Sequence, residues 1–101
     1  MKTIKEAYIE LIDEKRAQIK AIEENIDKLK DENIKRTAER KLYTYITENE
    51  RGRLTAGYEV LLEEVEDKIE KIANKIEELN DEKEKYYAEI DLLNKLSHSI
   101  E

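Results

Sequence analysis

From Tyr58 to Ile100 apolar residues recur at alternating spacings of three and four, with almost no break. One series is Leu62, Ile69, Ile76 and Ile90; the interleaved one is Tyr58, Val65, Ile72, Leu79, Tyr86, Leu93 and Ile100. Such a repeat keeps one narrow stripe of a helix facing a partner helix, the condition for a left-handed coiled coil. The 45% of charged residues could suit a disordered chain, but periodic apolar residues make it the solvated side of long helices.

A partner helix is available upstream. Thr3-Ile4-Lys5-Glu6 fits a capping box, in which the hydroxyl and the carboxylate satisfy orphan amides at a helix start. The seam that follows runs Tyr8, Ile12, Lys15, Ile19, Ile22, Ile26, Leu29 and Asn33. After Asn33 the stripe continues as Ile34, Ala38, Leu42 and Tyr45, offset by about one position, which predicts a register slip. Lys15, Asn33 and Lys83 occupy core-type positions. A polar residue there fixes register at a cost in stability, or, for lysine, lays its stem along the groove and keeps the ammonium wet.

The zone from about 36 to 57 has different chemistry. It holds both glycines, Gly52 and Gly57, four of the five arginines, and Thr37, Thr44, Thr47 and Thr55. Two readings compete. Leu42-Tyr43-Thr44-Tyr45-Ile46-Thr47 has the β-branched and aromatic residues of a strand, so a short β-hairpin could sit at the tip. Alternatively helix one continues to about Asn49 and ends at Gly52, with Thr55 capping helix two. Either way the chain reverses. The expected fold is all-α: one domain over 1–101, an antiparallel two-helix coiled-coil hairpin. Helix one spans about 4–49 and helix two about 58–100, each roughly 65 Å long.

Charge follows the same zones. Residues 1–34 carry a net −2, residues 35–58 a net +3, and residues 59–101 a net −8. The shaft charges read as solvated helix surface with i,i+4 pairs such as Glu64–Lys68. At the tip, arginines beside tyrosines suit anionic or planar partners, because guanidinium groups stack and bond in a fork. Arg36, Arg40, Tyr43, Tyr45, Arg51 and Arg53 are therefore the candidate partner-binding residues. A net +3 is small for a nucleic-acid surface, so a protein partner is expected first and nucleic acid second.

Near the termini the apolar arc widens. Ile4, Ala7, Tyr8, Ile9, Leu11 and Ile12 crowd helix one, and Tyr86, Tyr87, Ile90, Leu92, Leu93 and Leu96 crowd helix two. One partner helix cannot cover so broad an arc. A second copy is the simplest cover, giving a homo-oligomeric helical bundle, a dimer in its simplest form. The expected interface comprises Tyr8, Ile9, Ile12, Tyr87, Ile90, Leu92, Leu93 and Leu96.

Signatures of chemistry are missing from the sequence. There is no cysteine, hence no disulfide and no thiolate metal site. The single histidine, His98, cannot build an ordinary zinc site, and Lys95 stands where a di-iron helix would carry its glutamate. Gly52 and Gly57 are not followed by the Gly-Lys-Ser/Thr of a phosphate loop. The expectation is a non-enzymatic protein with no cofactor and no metal. No segment reaches the ~20 apolar residues of a membrane span, and charge interrupts Met1–Glu6 at once, so neither membrane nor signal peptide is expected and a cytoplasmic location is.

The order helix, short hairpin segment over Leu42–Arg53, helix resembles the layout of a β-type prefoldin subunit, a chaperone that holds clients between coiled-coil tentacles. That resemblance implies client holding, and it puts the oligomerising surface at the hairpin, whereas the broad apolar surface here lies at the free ends. In its lysine, glutamate and isoleucine content the chain is also similar to accessory proteins of phages and mobile elements. The function expected is a small oligomeric coiled-coil adaptor or inhibitor that meets its partner at the arginine–tyrosine tip. The alternatives are a nucleic-acid-binding arm, an acidic shaft that fills a basic groove of another protein, and a prefoldin-like holdase.

Overall fold

The periodicity materialises as two long helices packed against each other in a computed structural model, which describes residues 1–49 and 53–99. Helix α1 spans Ile4–Asn49, a single turn α2 spans Arg53–Ala56, and α3 spans Tyr58–Ser99. No strand occurs among the described residues.

Local chemistry explains the helix boundaries. The Glu6 amide donates to Thr3 Oγ1 at 3.1 Å and the Ala7 amide to the Thr3 carbonyl at 3.0 Å, so Thr3 caps α1. At the start of α3 the Leu61 amide donates to the Gly57 carbonyl at 3.3 Å. Thr55 falls inside α2, and Gly57, not Thr55, immediately precedes α3. The segment 42–49 is helical, which removes the strand reading for those residues; Glu50, Arg51 and Gly52 lie outside the described residues. Within that helical segment the β-branched Thr47 donates its Oγ1 to the Thr44 carbonyl at 3.0 Å, as Thr37 Oγ1 does further upstream to the Asn33 carbonyl at 2.8 Å.

The chain forms two compact units. The first joins Met1–Ile26 to Glu78–Glu101. Ile12, Ile19 and Ile90 form its buried cluster, with Tyr86 and Leu93 packed against them. Ile22, Ile26 and Leu79 are buried too, and Ser97 holds a buried seam position. Each isoleucine removed from water contributes about 1.5–3 kcal/mol, so this seam is the main cohesive element of the unit. The helices run antiparallel within it: Lys15 pairs with Glu89, while Glu23, further along α1, accepts from Tyr87.

The second unit spans Asp27–Glu77. The Tyr43 and Tyr58 rings meet at 5.6 Å between centroids, tilted by 48°. Seven residues from that pair along each helix bring Arg36 level with Val65, which is only 3% exposed. The α3 stripe of Tyr58, Leu62, Val65, Ile69, Ile72 and Ile76 is buried or half-buried throughout.

The expected register slip does not shape the packing. Beyond Asn33 the half-buried positions of α1 are Arg36, Thr37, Glu39, Arg40, Tyr43, Thr44, Ile46 and Thr47, and among them Arg36, Arg40, Tyr43 and Thr47 continue the spacing of the upstream seam. Ile34, Ala38, Leu42 and Tyr45 stay exposed. Because the α3 stripe is unbroken, α1 keeps its phase to meet it, and several of the polar side chains this turns inward pair with one another. Arg36 Nε lies 3.1 Å from Glu32 Oε1, its guanidinium also pairs with Glu39, and Tyr43 donates to Glu39 Oε2 at 3.1 Å.

Candidate protein-interaction surfaces

At the first unit the predicted interface residues divide by orientation. Ile12 and Ile90 are buried in the core, and Tyr8 and Leu93 are half-buried, so these four support a surface more than they form one. Ile9, Tyr87, Leu92 and Leu96 are exposed. Leu92 and Leu96 share an open groove of about 290 Å³ with Leu93, Leu11, Lys15 and Glu89. Its floor is apolar and its polar contribution is the Lys15–Glu89 ion pair.

Ile9 and Tyr87 belong to the other flank. The Tyr87 hydroxyl donates to Glu23 Oε1 at 3.3 Å. Glu23 lies fourteen residues from Ile9, about four turns along the same side of α1. Partial desolvation, and then the Glu23 carboxylate, raise the Tyr87 phenol above its ordinary pKa.

Leu11, Lys15 and Glu89 line the groove but are absent from the predicted interface, and of these Leu11 is the apolar one. Its signal was present in the sequence, since Ile4 and Leu11 stand seven residues apart on one flank of the α1 seam. Both are exposed.

At the tip, Arg36 is committed to Glu32 and Glu39, with its side chain 15% exposed. Arg36 Nε and Glu39 Oε1 are enclosed atoms whose contacts are ionic, not aligned hydrogen bonds, and Asn33 Oδ1 is enclosed with no hydrogen-bond donor. Arg40 and Tyr43 are half-buried. The Tyr43 phenol is raised above its ordinary pKa, first by its hydrogen bond to Glu39 and then by desolvation. Tyr45 is exposed, and its carbonyl accepts from Asn49 Nδ2 at 2.9 Å. Arg51 lies outside the described residues, and of Arg53 only the place in α2 is described. Of the four predicted tip residues whose side chains are described, Arg36, Arg40 and Tyr43 are half-buried and Tyr45 is exposed.

What the second unit does present is the stripe that the sequence assigned to the seam. Ile34 is 69% exposed, Leu42 54% and Tyr45 61%. Tyr43 comes nine residues after Ile34, about two and a half turns, so the seam and the stripe occupy opposite sides of α1. Ala38 leaves a notch in this face, an open groove lined by Lys30, Asn33, Ile34, Thr37, Ala38 and Lys41.

Among the described residues no helix is long and apolar enough to cross a membrane, and no group of three or more His, Asp or Glu is placed to hold a metal ion. The chain matches no protein-family model, no curated protein and no solved structure.

Proposed function

We propose that this chain is a non-catalytic protein–protein interaction module, a small coiled-coil adaptor or inhibitor that self-associates at its open end. The observation that carries this reading is the groove of Leu11, Leu92, Leu93 and Leu96. Leu92 and Leu96 are more exposed than the fold requires, while Ile12 and Ile90 are already buried between α1 and α3. A further helix laid in that groove would remove the leucines from water, and a second copy supplies one with matching apolar residues. A different protein is the proposed partner of the tip, with Arg51 and Arg53 as the proposed contacts.

A nucleic-acid partner is the weaker reading. Glu32 and Glu39 neutralise Arg36 within the chain, which lowers the positive field available to phosphates.

The test is the mass in solution of the Leu92→Glu, Leu96→Glu double variant by sedimentation equilibrium. Both side chains are exposed, so helicity by circular dichroism should match the parent. The variant should have a lower mass than the parent chain. An unchanged mass would overturn open-end association.

A further inference from the structure

The outer face of α1 in the second unit is apolar, exposed and opposite the seam, and the packing of α1 on α3 makes no use of it. We propose that this face is a second contact between copies of the chain, with α1 lying antiparallel to α1 of another molecule across a two-fold axis level with Glu39 and Arg40.

The residues favour that arrangement because the stripe is self-complementary. Reversing it about its midpoint lays Ile34 beside Tyr45 of the second copy and Ala38 beside Lys41 of the second copy. The small Ala38 side chain leaves room for the methylenes of the incoming lysine, whose ammonium reaches water at the rim. A two-fold contact needs this property, since the same patch must serve both sides.

Charge supplies the second argument. Lys30 and Glu48 stand eighteen residues apart, about five full turns, so they share one flank of the stripe. In the antiparallel arrangement Lys30 of each copy falls next to Glu48 of the other, and the axis makes this pair twice. Both side chains are exposed, and neither has an ion-pair partner within the chain among the described residues. A parallel arrangement would leave Lys30 of one copy and Glu48 of the other eighteen residues apart along the axis, about 27 Å, so it forms no such pair. The stripe therefore selects its own copy in one direction over a generic helix.

This contact is separate from the open-end groove and does not depend on it. In the Leu92→Glu, Leu96→Glu background the chain should sediment as a concentration-dependent dimer. Adding Leu42→Glu and Tyr45→Glu should leave a monomer. A monomer in the starting background overturns the proposal, and a dimer that survives Leu42→Glu and Tyr45→Glu overturns it as well. Direction is tested by charge. Lys30→Glu in the same background should weaken dimerisation by roughly tenfold or more, the scale of two lost ion pairs turned repulsive. Combining Lys30→Glu with Glu48→Lys should restore the original affinity. Failure of that rescue would exclude the antiparallel register.

Discussion

The Lys15 ammonium stands 5.5 Å from the centroid of the Tyr86 ring, and the same ammonium pairs with Glu89. A lysine at a core-type position is thus held by a ring face and a carboxylate of the opposing helix. It lines the groove beside Leu11, Leu92, Leu93 and Leu96, and these two partners hold its charge there.

Lys15→Ala should accordingly lower stability by about 1 kcal/mol, combining the cation–π and ion-pair contributions. Glu89→Gln should cost about 0.5 kcal/mol, because that carboxylate is half exposed. Urea denaturation of both variants checks the order; a larger loss for Glu89→Gln would show that the ring contributes little.

Asn33 offers a gain. Its amide oxygen is enclosed without a donor, while its backbone carbonyl already serves Thr37. Asn33→Leu should stabilise the chain by about 1 kcal/mol by removing an unsatisfied polar atom. Thermal melting would reveal it, and a destabilised variant would mean that the amide makes a bond in solution.

Ile19 and Ile34 differ in what they contribute. Ile19 is buried in the cluster with Ile12 and Ile90, and Ile19→Ala should cost about 2–5 kcal/mol. Ile34 is exposed, and Ile34→Ala should change the stability of the single chain by less than about 0.5 kcal/mol. Denaturation in the background that removes both proposed contacts separates these effects from association.

Alkaline pH should weaken the second unit through Tyr43. Its folded pKa lies above the ordinary value of 10.0, so the folded state holds the phenolic proton more tightly. The resulting stabilisation is fully present below the unfolded pKa and is lost as pH rises through the folded one. The stability advantage of the parent over Tyr43→Phe should therefore shrink above about pH 10. An advantage that stays constant with pH would rule out this linkage.

The α3 stripe was readable from spacing alone, because each of its seam positions from Tyr58 to Leu93 is apolar except Lys83, and each is buried or half-buried. The α1 seam was equally plain as far as Asn33. Beyond it, hydrophobicity pointed to Ile34, Ala38, Leu42 and Tyr45, whereas the structure turns Arg36, Arg40 and Tyr43 inward. Apolar periodicity reports which face wants to leave water, not which partner will cover it. The choice was made by the phase of α3, with the Glu32–Arg36–Glu39–Tyr43 chain of contacts making it affordable. The same limit applies to the open end, where a broad apolar arc was evident but its division into a Leu11–Leu92–Leu96 groove and a separate Ile9–Tyr87 flank was not. That division depends on Tyr87 reaching Glu23, a pairing that sequence spacing does not specify.

The seam changes its chemistry along its length, from isoleucine around Ile12, Ile19 and Ile26 to ionic side chains around Arg36 and Glu39. One additive should thus act on it in opposite senses. Ammonium sulfate strengthens oily contacts by being excluded from protein surface, while its ions mask charge attraction. Amide hydrogens around Ile19 should then exchange more slowly with solvent deuterium as the salt rises, and those around Arg36 should exchange faster.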